Sequence, residues 1–351
     1  MQNHCFRALG TQKMFSLWST SKITEEMLAF LRSDEFGGSA VTMPLKTAII
    51  PFLDELSSET KLTNACNTIV KVPTGDGKFK LVGQNTDILG IRNALLSALR
   101  EQHPSRFIPS DASATFPAVS TDGASAGLVI GGGATTRFAA HALTLLGLSP
   151  IFLVNRDVGE VRAVMDAMPH LSKRGGIIHL RDPAGVEKYL VGPGKAKLLV
   201  IVGCIPSFAP QTYEERMVHT TVSAVLTTPY IVPTTPSTVL PYPTRRLFLE
   251  MPYKPLHTTM YQVAAAHGWH VIDGIEAMIE QGYAQQRMFA RGEATMSVGS
   301  DPTILGPEIE QSARRDTRTR LLLPQTPEEL EAIKNEVDRA HGEEAAAPPW
   351  K

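Results

Sequence analysis

Cysteine is scarce and scattered in this sequence. The three present, Cys5, Cys66 and Cys204, are far apart. They make no zinc-ligand spacing, and their odd number excludes a full disulfide framework, which suits a reducing compartment. Long apolar runs are missing. The longest useful one, 198–205, is strand-sized, well short of the ~20 residues a membrane helix needs. Net charge is close to absent, at −1, so no global attraction to nucleic acid or an anionic membrane is expected. The start, MQNHCFRALG, lacks the basic-then-apolar order of a signal peptide, and a cytoplasmic location is expected. No Gly-x-Ser-x-Gly surrounds Ser207 or Ser223, which argues against a hydrolase. His257, His267 and His270 lie close together without supporting carboxylates, so no metal site is expected. Cys66 reads as a small core residue rather than a nucleophile.

What is there is an ordinary soluble composition, 43% hydrophobic and 20% charged over 351 residues. That length leaves room for about two domains. Strand-like and helix-like patterns alternate, which predicts an α/β protein with a parallel sheet. In the first hundred residues, 14–20 (MFSLWST) reads as a strand. Thr24 then caps a helix whose apolar positions are Met27, Phe30 and Leu31. A strand from Gly38 ends at Pro44, and a helix is expected over 46–56. Strands follow at 66–72 and 79–83, with a turn at 74–78 and a helix over 88–100. Residues 101–126, with Pro104, Pro109 and Pro117 among small polar residues, read as a flexible insertion. Later strands are expected at 198–202 and 247–251 and helices at 257–267 and 276–289. From about Met296 the sequence becomes a partly disordered tail. It has a capping box at Thr326-Pro-Glu-Glu329 and a narrow stripe of Leu330, Ile333 and Val337. Arg314, Arg315, Arg318 and Arg320 in this tail read as a solvated basic face.

The clearest stretch is 127–157, which reads strand, glycine turn, helix, strand. Gly131, Gly132, Gly133, Ala134, Thr135 and Thr136 form the turn. Gly131 allows a tight turn, Gly133 lets a pyrophosphate approach the backbone, and the following helix start offers free N–H groups. Thr136 stands where a third small residue is usual. The second strand ends in Asn155-Arg156-Asp157, about 24 residues after Gly133, where a Rossmann fold reads the adenosine ribose. Asp157 would accept from ribose hydroxyls and repel a 2′-phosphate, whereas Arg156 would attract the phosphate or stack on adenine. The balance favours NAD over NADP.

In the first half, Thr42, Lys46, Asn67, Asn85 and Asp87 fall at or just after strand ends, where α/β folds build sites. Lys46 sits at a helix start, where the dipole does not help a cation, so a nearby carboxylate would explain it. A Lys46–Asp87 pair in a cleft could shuttle a proton during carbonyl reduction. The plainer reading is a surface lysine and a helix-capping aspartate.

These residues carry a resemblance to the shikimate and quinate dehydrogenases, including the dehydrogenase-like region of fungal quinate repressors. SAVTMPLK (39–46) resembles that family's V-T-x-P-x-K, and ACNT (65–68) its A-V-N-T. GQNTD (83–87) resembles its G-x-N-T-D, and IDGIEAMIEQG (272–282) its closing D-G-x-x-M-x-x-Q-G. The likeness runs from about residue 2 to 290. It implies a substrate domain over 1–100, the insertion 101–126 and a Rossmann-like NAD(P) domain over 127–272. A closing helix over 273–295 returns to the substrate domain, and the tail is 296–351. It further implies hydride transfer between NAD or NADP and a ring alcohol or ketone. Lys46 would be the acid/base and Asp87 its partner; Thr42, Asn67, Tyr253 and Gln281 would bind the substrate. Family members begin with a strand and a Ser-x-Ser loop that holds the substrate carboxylate. Here MQNHCFRALG resembles the helix that follows that loop, so the substrate domain is expected to lack its first strand and that clamp. The alternative that the resemblance carries is an inactive regulatory module. It would bind the same ligands, contact a protein partner through the tail and reside in the nucleus.

Overall fold

A computed structural model describes residues 1–106, 125–172, 176–207, 209–233 and 240–322. Residues 107–124 of the expected insertion lie outside these residues, while its two ends belong to a helix that runs to Gln102 and a strand that starts at Ser125; the capping box at Thr326 lies wholly outside them.

The first unit opens with helix α1 (Gln2–Ala8) and helix α2 (Glu25–Leu31). The Thr24 hydroxyl caps α2 by accepting the Met27 N–H at 3.3 Å. Then come strand β1 (Gly38–Ala40), helix α3 (Leu45–Ala48), strand β2 (Glu55–Leu56) and helix α4 (Ser58–Thr63). Strands β3 (Thr68–Pro73) and β4 (Phe79–Gln84) lead to the long helix α5 (Asp87–Gln102). The four strands are ordered β1-β3-β4-β2. β3 is antiparallel to both β1 and β4, and β2 runs parallel to β4.

Two local expectations fail here for physical reasons. Residues 14–20 form no strand. Among the described residues no strand pairs with them; Asn3 instead holds both polar groups of Phe15, donating to its carbonyl at 2.8 Å and accepting its N–H at 2.6 Å. The helix expected over 46–56 stops after one turn. Pro51 has no N–H to continue the ladder, so the chain passes through a 3-10 turn at Ile50–Phe52 and becomes strand β2.

The second unit begins with strand β5 (Ser125–Ile130), helix α6 (Ala134–Leu145) and strand β6 (Ile151–Val154). Helices α7 (Val158–Ala167) and α8 (Pro169–Ser172), strand β7 (Ile177–His179) and helix α9 (Pro183–Leu190) follow. Strand β8 (Lys197–Gly203), helix α10 (Tyr213–Leu226), strand β9 (Leu247–Glu250), helix α11 (Thr259–Ala266) and strand β10 (His270–Asp273) complete it. All six strands are parallel in the order β10-β9-β8-β5-β6-β7. This is a doubly wound Rossmann-type sheet, whose chain reverses direction between β5 and β8. β5, β6 and β9 are buried along their whole length, which explains their continuous apolar sequence. Their alternate residues feed two cores. Leu128 and Ile130 point into one and Val129 into the other.

Helix α12 (Gly274–Arg291) returns from this sheet and packs along α5. A Cβ on Gly90 of α5 would sit 2.4 Å from the Ala277 carbonyl and 2.9 Å from the Gln281 Cβ, so this crossing needs glycine. Two helices then occupy the start of the tail expected to be only partly ordered, α13 (Met296–Ser300) and α14 (Pro307–Leu322). The basic face of the tail is not wholly solvated. Arg314 pairs with Glu276 and Glu280, and Arg318 pairs with Asp273 and Glu276. Arg315 and Arg320 remain exposed. Beneath these ion pairs Ala313 and Leu305 pack with Cys5, Ile275, Ile279 and Tyr283. No described helix is long and apolar enough to cross a membrane.

Candidate active site

A cleft of about 1320 Å³ opens against the first sheet and reaches the start of α12. The structure brings Thr42, Lys46, Asn67, Asp87, Tyr253 and Gln281 together on its walls. They come from separated stretches of the chain. Lys46 lies in α3, and Asp87 is the first residue of α5, whose cap is Thr86 rather than Asp87. Lys46 Nζ donates to Asp87 Oδ2 at 2.7 Å, and both side chains keep only about a fifth of their surface exposed, 21% and 17%. Asp87 is therefore the carboxylate that a lysine in this position calls for. The ring of Phe138, from α6 of the other unit, has its centroid 5.6 Å from Lys46 Nζ, so both units touch the lysine.

Asn67 is fixed by its neighbours. Its Oδ1 accepts the Thr86 N–H at 2.7 Å and the Thr68 hydroxyl at 2.7 Å. Its Nδ2 faces Gln281 Oε1 at 3.4 Å. Gln281 Nε2 donates to the Met278 carbonyl at 3.0 Å. One helical turn on, Gln285 Nε2 donates to the Thr68 hydroxyl at 3.1 Å. Tyr253 packs with Ile275 and Ile279 of the α12 region. Cys66, adjoining Asn67, is fully buried, and burial pushes its thiol up to about 11. It is neutral at physiological pH and so unsuited to nucleophilic work.

Phe138, Gln285 and Arg137 also belong to these surroundings, without having stood out in the sequence. Gln285 had a legible signal, its i+4 spacing from Gln281 on one helix face. Arg137 had its place directly after the glycine turn. Arg137 Nε donates to the Thr63 carbonyl at 3.0 Å, and the Thr63 hydroxyl accepts Asn85 Nδ2 at 3.2 Å. Asn85 Oδ1 then accepts the Asp87 N–H at 3.1 Å. A continuous set of hydrogen bonds thus joins α6 to the Lys46–Asp87 pair. Phe138 gave no such signal, because a core phenylalanine and a phenylalanine beneath a lysine look alike in sequence.

The glycine turn joins β5 to α6. Gly131 has φ +141, and a Cβ there would press on the Thr136 hydroxyl at 2.9 Å. That hydroxyl is buried and has no partner among the described residues. A Cβ on Gly133 would meet nothing within 4 Å. Ala134 and Thr135 open α6, where the first-turn N–H groups lack helical acceptors. An open, unhindered backbone at a helix start fits a pyrophosphate. At the end of β6, Asp157 is exposed and also caps a helix. Its Oδ1 caps α7, accepting the Gly159 N–H at 2.6 Å and the Glu160 N–H at 3.2 Å. Arg156 is drawn into an ion pair with Glu215 of α10. Asn155 Nδ2 donates to Glu160 Oε2 at 2.6 Å.

Residues 1–69 match the family model for the shikimate dehydrogenase substrate binding domain. Over that first stretch the chain is similar to the substrate-binding domain of the shikimate dehydrogenases. The dehydroquinate dehydratase and shikimate dehydrogenase from S. pombe is similar at 28% identity and a TM-score of 0.64, over 86% of this chain and 49% of that one. This chain therefore spans about half the length of that protein. The quinate dehydrogenase from Corynebacterium glutamicum, solved in complex with NAD, shares the fold at 20% identity and a TM-score of 0.54, over 89% of this chain and 92% of that chain. The shikimate 5-dehydrogenase from Thermus thermophilus, solved with NADP(H) and shikimate, does so at 22% identity and 0.53, with the same two coverages of 89% and 92%. The two-unit α/β architecture, with a smaller unit ahead of a Rossmann-like one, is the fold of these structures.

Proposed function

We propose that this chain is an NAD(P)-dependent dehydrogenase acting on shikimate, quinate or their dehydro forms. The observation that carries the reading is the Lys46–Asp87 pair, 2.7 Å apart in a cleft that the amides of Asn67 and Gln281 also line. When bound, the nicotinamide supplies or takes the hydride. The chain's own residues do the rest. Lys46 donates a proton to the oxygen of a ring ketone as it is reduced, or takes it from the alcohol in oxidation. Asp87 fixes the ammonium in place and offsets its charge. Asn67 and Gln281 are positioned, with Thr42 and Tyr253, to hydrogen-bond ring hydroxyls and the carboxylate. The residues 131–136 would hold the pyrophosphate.

NAD is the favoured nucleotide. Arg156 is taken up by Glu215 of α10, and Asp157 and Glu160 add two further carboxylates at the start of α7. That surplus of negative charge is unfavourable to a 2′-phosphate.

The test is reduction of NAD and NADP by the purified chain, with quinate and shikimate supplied separately, beside Lys46→Ala. Turnover in the wild type, lost about 10²–10⁴-fold in the variant, is the expected result. Unchanged turnover in Lys46→Ala, or none in the wild type with either acid, would refute the reading.

A further inference from the structure

Two consecutive residues of α6, Arg137 and Phe138, cross from the Rossmann-like unit to the first unit. The Phe138 ring lies beneath Lys46, its centroid 5.6 Å from Nζ. Arg137 Nε donates to the carbonyl of Thr63, 3.0 Å away at the end of α4. Arg137 is half-buried. Among the described residues no carboxylate offsets the burial of its guanidinium, which on its own is unfavourable. What it grips explains its place.

The gripped segment, residues 63–66, carries both members of the acid/base pair. On one side it holds the backbone around Lys46. The Cys66 N–H donates to the Lys46 carbonyl at 2.8 Å, and the Thr47 hydroxyl donates to the Asn64 carbonyl at 3.1 Å. On the other side it holds Asp87 through Asn85. Asn85 Nδ2 donates to the Thr63 hydroxyl at 3.2 Å and to the Ala65 carbonyl at 2.9 Å, while Asn85 Oδ1 accepts the Asp87 N–H at 3.1 Å. Thr63, Ala65, Cys66 and Asn85 are all buried, so water does not compete for these bonds and close packing leaves the segment little room to yield. A displacement at Thr63 therefore reaches Lys46 and Asp87 together.

The same helix starts at the glycine turn, with Ala134 as its first residue. Resting on the dinucleotide reading above, we infer that Arg137 is a positioning residue that couples occupancy of the glycine turn to the placement of the Lys46–Asp87 pair. A pyrophosphate at the start of α6 draws that helix end into a fixed place. Arg137 and Phe138 follow within about one turn of it, so the fixed place is passed to segment 63–66 and to Lys46 itself. The pair is then held most closely while the nucleotide is seated, which is when the proton has to move.

The experiment joins hydrogen exchange, read by mass spectrometry over residues 84–90, to steady-state kinetics on wild type, Arg137→Met and Arg137→Lys. Nucleotide fluorescence establishes first that NADH binds. In the wild type, saturating NADH should slow exchange over 84–90 about five-fold or more. Arg137→Met, which keeps the stem and loses the donors, should abolish that slowing while NADH affinity changes by less than about three-fold. Its kcat should fall about ten-fold with the KM for the ring acid within about two-fold, the split that marks lost placement rather than lost binding. Arg137→Lys, whose ammonium can donate to the same carbonyl, should recover most of both effects. Asn85→Ala added to Arg137→Met should cost little beyond Asn85→Ala alone, because both act through one segment. Should Arg137→Met not fold, Arg137→Gln carries the same readouts. A variant without the Arg137 guanidinium in which NADH still slows exchange over 84–90, or additive losses in the double variant, overturns the inference and leaves the dinucleotide reading intact. A wild type that binds no nucleotide overturns both. Slowing that depends on Arg137 in a wild type without turnover upholds the inference and refutes only the catalytic reading.

Discussion

Gly90→Ala probes the contact on which the geometry of the cleft depends. In an isolated helix the change would stabilise the chain by about 1 kcal/mol, because alanine loses less backbone freedom than glycine. Here the new Cβ would sit 2.4 Å from the Ala277 carbonyl and 2.9 Å from the Gln281 Cβ. That is about 1 Å short of an ordinary contact of roughly 3.5 Å. Both contacts are made with the backbone or Cβ of α12, which has no flexible end to yield, so α12 has to move off α5. Overpacking of this kind costs about 1–3 kcal/mol. The net destabilisation is then up to about 2 kcal/mol, or a few degrees of Tm for two units of this size. The functional effect should be larger. α12 carries Gln281, and α5 begins at Asp87, so separating the helices by about 1 Å moves one wall of the cleft against the other. Misplacement on that scale costs on the order of 10²-fold in rate. Thermal melting and steady-state kinetics with quinate and shikimate measure both effects. A variant with raised Tm and unchanged kcat/KM would refute the argument that Gly90 sets the spacing.

Two further outcomes follow from other parts of the molecule. Arg314→Met should destabilise the chain by about 2–3 kcal/mol in chemical denaturation, somewhat below the cost of breaking a fully buried pair. It strips a partner from Glu276 and from Glu280, whose side chain is only 12% exposed; an unchanged midpoint would mean that α14 is not held by these pairs. Glu250→Gln addresses pH: burial pushes the Glu250 carboxyl up to about 7, against the bond donated by the Thr258 hydroxyl. A folded-state value above the unfolded one means that this carboxyl's stabilising contribution is complete below about 4.5 and is lost as pH rises through about 7. The contribution is on the order of 3 kcal/mol. The stability of the wild type should therefore fall more steeply between pH 5 and 8 than that of Glu250→Gln, and parallel profiles would refute the assignment.

Local features were legible in the order of the residues alone. The Thr24 cap, the β5–turn–α6 unit, the long helices α5 and α12 and the apolar strands β8 and β9 all follow from interactions within a few residues. Propensity, capping and periodicity report those. The motifs around Lys46, Asn67, Asp87 and Gln281 likewise carried the resemblance to the shikimate and quinate dehydrogenases, because each motif is a short run of fixed residue types. The failures share a different cause. Residues 14–20 have strand-like side chains, but a strand exists only with a partner, and Asn3 takes the place of one. The expected helix over 46–56 had the right apolar stripe, but Pro51 and pairing with β4 decide its second half.

Charged groups were the least legible, since a side chain's role depends on what lies opposite it. The tail arginines look like a solvated face until Asp273, Glu276 and Glu280 meet them from the start of α12. Asp157 reads as a surface carboxylate until the N–H groups of Gly159 and Glu160 fix its Oδ1. The sequence by itself determined which residues can do the chemistry and the local elements that present them. Only the tertiary structure decided which of them meet. It set Lys46 against Asp87, 41 positions away, and brought Gln281 to within 3.4 Å of Asn67, 214 positions away. Contacts across such separations depend on how whole helices and sheets pack, and no short window of sequence carries that information.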